Sequence, residues 1–322
     1  MRARAAAALG VLLLAGLLGP SPALAQVDNE IFGPDDGTDA MLRGLIAAAP
    51  TLAVERSEIA LPAGLAIGRI PGLAGDAQGN IYLIQRAPEL DAIMVVDRRG
   101  TVLRSFGRGL FAYAHTVRLD PEGNVWAVDA QTSMVYKFSP QGERLLEISV
   151  GDVPGIARIQ RAAADIAFGP GGLVYVADGY ANGRVVVFDA AGRKVREWGR
   201  RGKEPGQFNL PHGIAVGPDG TVYVADRENG RVQLFSPTGE YLREWHYGGR
   251  VLSLAFSPGG ELWVSAEPKS VSMAESYVMR VDPRDGRFTG AFQAFGHQLG
   301  VGGDGVLLPA SLTGPIVVYR VR

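Results

Sequence analysis

Residues 205–245 read PGQFNLPHGIAVGPDGTVYVADRENGRVQLFSPTGEYLREW. A short apolar run ends at Val216, the turn Pro218-Asp219-Gly220 follows, and Val222 to Asp226 has the β-branched and aromatic content of a strand. A second hairpin of the same kind follows from Val232, turning at Pro237-Thr238-Gly239. The stretch therefore predicts two hairpins, or four antiparallel strands, with glycine where the turns need positive φ.

Working outward, the first hairpin recurs as GDAQGNIYLIQ from Gly75, LDPEGNVWAVD from Leu119, FGPGGLVYVAD from Phe168, FSPGGELWVSA from Phe256 and VGGDGVLLPAS from Val301. The turn glycines Gly79, Gly123, Gly172, Gly220, Gly260 and Gly305 are 44, 49, 48, 40 and 45 residues apart. Four strands per unit at that period is the pattern of propeller blades, each of which buries its faces only against its neighbours. The expectation is an all-β chain forming a six-bladed β-propeller over residues 51–322. The sixth unit lacks an outermost strand, and Thr51–Ala60 (TLAVERSEIA) is expected to supply it and close the ring.

Composition agrees with a packed domain. Of 322 residues, 47% are apolar and 20% charged, enough for a large core. Lys+Arg total 32 against 33 Asp+Glu, so there is no basic footprint for a phosphate backbone and nucleic acid is not an expected partner. With no cysteine, disulfides, thiolate metal sites and cysteine nucleophiles are excluded.

The first 25 residues read as a signal peptide: Arg2 and Arg4, then the apolar run Ala5–Gly19, then Ala23-Leu24-Ala25 before Gln26. The run is short for a bilayer span, a retained anchor being the alternative. The expected location is secreted or periplasmic, with no membrane association after cleavage. Residues 26–50 read as a linker or arm, with a short helix over Ala40–Ala49.

Of the four histidines, three share one phase: His115, His212 and His297 each stand eight residues before their turn glycine, in blades two, four and six. The same slot holds Pro71, Ala164 and Leu252 in blades one, three and five. The slot begins the innermost strand, so alternate blades of a six-fold ring would aim three imidazoles at one point. Three histidines with an open fourth position is the layout of a catalytic zinc site, and imidazole also suits copper, iron or nickel. The alternative is that each caps its strand. His246 is out of phase and reads as surface. Loops following second strands border the same mouth; these place Arg86 just past the end of the second strand of blade one and Tyr180 two residues after Asp178 in blade three.

The repeats resemble NHL repeats. HTVRLDPEGNVWAVD (His115–Asp129), DGYANGRVVVF (Asp178–Phe188) and FNLPHGIAV (Phe208–Val216) further resemble peptidyl-α-hydroxyglycine α-amidating lyase, also called peptidylamidoglycolate lyase. That resemblance implies a six-bladed propeller with zinc on His115, His212 and His297, a catalytic Tyr180 and an active-site Arg86. It implies cleavage of a small-molecule or peptide carbinolamide to an amide and glyoxylate. The family's third histidine is followed by an acid that helps hold calcium; here Gln298 stands there, which counts against calcium. Alternatives are a non-catalytic NHL scaffold with a protein partner, and a lactonase-like hydrolase, which would want carboxylates in the phased slots.

Overall fold

The structure is a computed structural model and describes residues 36–151, 160, 162–271 and 275–322. The signal-peptide reading of residues 1–25 lies outside them.

Six four-stranded antiparallel sheets form the blades. Blade one comprises Gly72–Gly75, Ile81–Ile84, Ile93–Val96 and Val102–Phe106; blade two runs from Ala114–Leu119 to Arg144–Ser149. Blade three begins with Asp165–Gly169 and Leu173–Asp178, blade four with Pro211–Val216 and Val222–Asp226, and blade five with Arg250–Phe256 and Leu262–Glu267. Blade six has Leu299–Val301, Leu307–Pro309 and Ile316–Val321 from the end of the chain. Its fourth strand is Val54–Ile59, paired antiparallel with Ile316–Val321 from Val54↔Val321 to Ile59↔Ile316. The seam expected for Thr51–Ala60 therefore forms, and it removes the open edge that blade six would otherwise present.

The first strands of successive blades contact one another around the ring and line its axis. The core sits between blades. Tyr175, Val185 and Val187 of blade three, for example, pack on Ile214, Val222 and Val224 of blade four. At the seam, Ile81 and Leu83 of blade one pack on Val306, Leu308 and Ile316 of blade six. Each large apolar side chain so buried contributes about 1.5–3 kcal/mol, which is why a sheet with two apolar faces is stable only within the ring. The six phased turn glycines all have φ between 76° and 84°, the left-handed region that favours glycine.

Residues 36–50 lie against blade five. The helix Asp39–Ala48 inserts Leu42, fully buried, among Trp245, Val251 and Met279. The Asp39 carboxylate is also buried and accepts hydrogen bonds from the backbone N–H groups of Lys269 (2.6 Å) and Ser270 (2.9 Å).

Candidate metal centre

Two histidines are aimed by an irregularity in the strand that carries them. Pairing between the first two strands of blade two slips between Ala114 and Thr116, leaving His115 as the extra residue of a bulge. Blade four slips in the same way between Pro211 and Gly213, around His212. A bulge turns its extra side chain out of the alternation of the strand, here toward the axis. His297 precedes its strand and is held by its backbone N–H on Ala310 O at 2.9 Å.

The three imidazoles meet. Their ring centroids are 4.8–5.1 Å apart, and one ligand nitrogen from each lies within 4.8 Å of the others. Each Nδ1 is hydrogen-bonded to a backbone carbonyl: His115 to Ala164 O (2.7 Å), His212 to Leu252 O (2.7 Å), His297 to Pro71 O (3.1 Å). A carbonyl only accepts, so Nδ1 carries the proton and Nε2 presents its lone pair. Burial favours the neutral ring. It holds His115 and His212 well below the ordinary histidine range and brings His297 down to about 3, and the Arg86 charge adds to the effect at all three.

Tyr180 completes the cluster. Its hydroxyl lies 2.7 Å from His115 Nε2 and 3.0 Å from His212 Nε2. Gly179 lets it in: a Cβ there would collide with the backbone of Pro211. Three Nε2 lone pairs and a phenol oxygen thus face one another with one phenolic proton among them, a donor deficit that a cation resolves. The donor set and the carbonyl-anchored Nδ1 atoms fit a divalent ion. Burial raises the Tyr180 pKa above its usual value, against the opposing charges of Arg227 and Arg86.

Arg86 stands beside the cluster. Its guanidinium lies 4.1 Å from the centre of the Tyr113 ring, donates through Nε to Ala114 O (2.8 Å) and donates through Nη1 to the Tyr113 hydroxyl (2.8 Å). Asp91 pairs with Arg108 at 3.5 Å. Gln298 is occupied: its Oε1 accepts from Arg118 Nη2 and Ser253 Oγ, both at 3.0 Å, and Arg118 Nη2 also pairs with buried Asp165 at 2.8 Å. His246 is exposed and bonds Glu244. The recurrent Asp178/Arg184 and Asp226/Arg231 pairs close turns at 2.8 Å and lie outside the cluster.

Sequence reasoning did not single out Tyr113, Gln160 or Arg118. One signal was available: Tyr113 stands two residues before His115, in the phase that holds Leu210 and Phe295 before the other two histidines, so a polar ring breaks an apolar series.

The NHL repeat profile matches residues 162–188 and 208–235. These two segments, in blades three and four, are NHL repeats. The chain is 32% identical over 240 residues to peptidyl-glycine alpha-amidating monooxygenase A of Xenopus laevis, covering 63% of this chain and 26% of that one. It is 29% identical over 190 residues to a probable peptidyl-alpha-hydroxyglycine alpha-amidating lyase of Caenorhabditis elegans, covering 51% of this chain and 54% of the relative. The chain thus matches about a quarter to a half of the length of these relatives. A solved streptogramin B lyase shares the fold with a TM-score of 0.58 at 14% identity, over 84% of this chain and 98% of the other. The propeller resembles the amidating lyases, and its three-histidine cluster is compatible with a metal. Among the described residues, no helix is long and apolar enough to cross a membrane.

Proposed function

We propose that the protein is an exported, zinc-dependent lyase that splits α-hydroxyglycine-type carbinolamides, R–CO–NH–CH(OH)–COO⁻, into the primary amide R–CO–NH₂ and glyoxylate. The observation that carries this reading is the convergence of His115, His212 and His297, within 4.8 Å, on a phenol that bonds two of them. The lyase names of the relatives support the reaction class. Export rests on the N-terminal pattern of Arg2, Arg4 and Ala5–Gly19.

His115, His212 and His297 would hold a metal through Nε2, and the metal would supply Lewis-acid activation of the substrate hydroxyl. The Nδ1 bonds to Ala164, Leu252 and Pro71 fix each ring in the tautomer that leaves Nε2 free. Tyr180 is the proton relay. Acting as the phenolate, it takes the proton of the α-hydroxyl, the C–N bond breaks as that oxygen becomes the aldehyde of glyoxylate, and the phenol so formed gives that proton to the departing amide nitrogen, which regenerates the phenolate. The charges of Arg86 and Arg227 favour the phenolate against burial. Arg86 also holds the substrate carboxylate through the guanidinium nitrogen its neighbours leave unused.

The test is glyoxylate release from an N-acyl-α-hydroxyglycine, measured for wild type and His212→Ala alongside stoichiometric metal analysis. Release that depends on His212 supports the lyase. Equal release from both proteins, or none from either, overturns it and leaves the propeller as a binding scaffold.

A further inference from the structure

The hydrogen bonds around Arg86 leave two donors unused, one on each of two touching side chains. Arg86 spends Nε on Ala114 O and Nη1 on the Tyr113 phenol, both at 2.8 Å. Its Nη2 is buried and has no hydrogen-bond partner. The Tyr113 oxygen accepts a second hydrogen bond at 2.8 Å, from Gln160 Nε2. A phenol oxygen has two lone pairs and one hydrogen. With both lone pairs engaged, Tyr113 can act toward a ligand only as a donor.

We propose that Tyr113 Oη–H and Arg86 Nη2–H form a two-donor cradle for a carboxylate, with Tyr113 as a specificity-determining residue for acid over ester. One guanidinium charge and one neutral hydroxyl match a monoanion whose two oxygens each need a donor. The cradle is tied to the metal centre through the chain itself: Tyr113 stands two residues before His115, and the carbonyl that anchors Arg86 Nε belongs to Ala114 between them. In an α-hydroxy acid the hydroxyl and the carboxylate share one carbon. A ligand that brings its hydroxyl to the histidines must therefore place its carboxylate beside them, and Ala114 O holds the Arg86 guanidinium next to His115. Gln160 has the supporting part of holding the phenol with its hydrogen outward. The inference rests on the lyase reading only for which acid is the natural one.

The experiment is calorimetric titration of the metal-loaded full chain with N-acetylglycine, which lacks the α-hydroxyl and is not cleaved, and with its methyl ester. Wild type is expected to bind the acid at least about tenfold more tightly than the ester, the worth of one hydrogen bond to a charged group. Tyr113→Phe keeps the ring against the guanidinium and is expected to lose about tenfold on the acid with no change on the ester. Equal binding of acid and ester by wild type overturns the cradle whatever the variant does. Undiminished acid binding by Y113F overturns the role of Tyr113. Intact acid preference in a protein that releases no glyoxylate overturns the lyase reading and leaves the cradle standing.

Discussion

His115 Nδ1 lies 2.7 Å from the carbonyl oxygen of Ala164, the residue that occupies the histidine's own register slot in the next blade. The relationship repeats from His212 to Leu252 and from His297 to Pro71. The bonds cross alternate interfaces: blade two to three, four to five, and six to one. Two of the remaining interfaces carry the other site groups, with Arg86 of blade one bonded to Ala114 of blade two and Tyr180 of blade three bonded to His212 of blade four. Three interfaces thus orient the histidines, and two of the other three bring further side chains to them.

Replacing any one of His115, His212 or His297 by alanine is expected to weaken zinc binding more than ~100-fold, since loss of an outer-shell partner alone costs 10–100-fold. Elemental analysis after dialysis against a weak chelator reads the loss, and an unchanged circular dichroism spectrum shows that the blades remain.

Tyr180→Phe removes the relay and no ligand. Metal content is expected to stay at the wild-type level while kcat for glyoxylate release falls about 10²–10⁴-fold, the usual contribution of a positioned acid–base group. A loss of zinc together with activity would instead make the phenol a ligand.

Arg118 pairs at 2.8 Å with Asp165, whose side chain is fully buried. Burial raises the pKa of this carboxyl even with the guanidinium beside it, so removing the cation strands a charge. Arg118→Met is expected to cost about 3–5 kcal/mol, and the double change with Asp165→Asn to recover most of it. Denaturant titration of the single and double variants measures both.

The arm should loosen in acid. Lys269, hydrogen-bonded to Asp36 at 2.7 Å, holds that carboxyl down at about 2, below its ordinary 3.8. A depressed folded-state pKa means the contact stabilises the docked arm fully above 3.8 and loses its contribution as pH falls toward about 2. Hydrogen exchange over residues 36–50, corrected for intrinsic rate, is expected to accelerate through that window, and Lys269→Met to remove the acceleration.

The blades, their number and the seam strand were legible because each depends on a pattern that side chains carry: turn glycines at a fixed period, alternating strands, and one unit short of a strand. The histidine slot was legible for the same reason. The partners of the Nδ1 atoms were not, because Pro71, Ala164 and Leu252 contribute carbonyls, and a carbonyl is present whatever the side chain. The bulges at His115 and His212 were hidden because an extra residue in one strand shows only against its neighbour. The Arg86–Tyr113 stack joins residues 27 apart across a blade boundary, and periodicity within a repeat says nothing of such pairs. What fixes the arm to the blades was not legible, because one buried carboxylate, Asp39, meeting two backbone amides leaves no trace in composition.

The seam has a bearing on biosynthesis. His115 and His212 emerge from the ribosome well ahead of His297, and the strand that seals blade six, Val54–Ile59, emerges ahead of all of them. No nascent fragment that stops short of blade six contains the full ligand set. Its leading strand has no partner until Ile316–Val321 has been made. Completion of the histidine set and circularisation of the ring are thus both late events, and a stop codon ahead of His297 would cost the protein both at once.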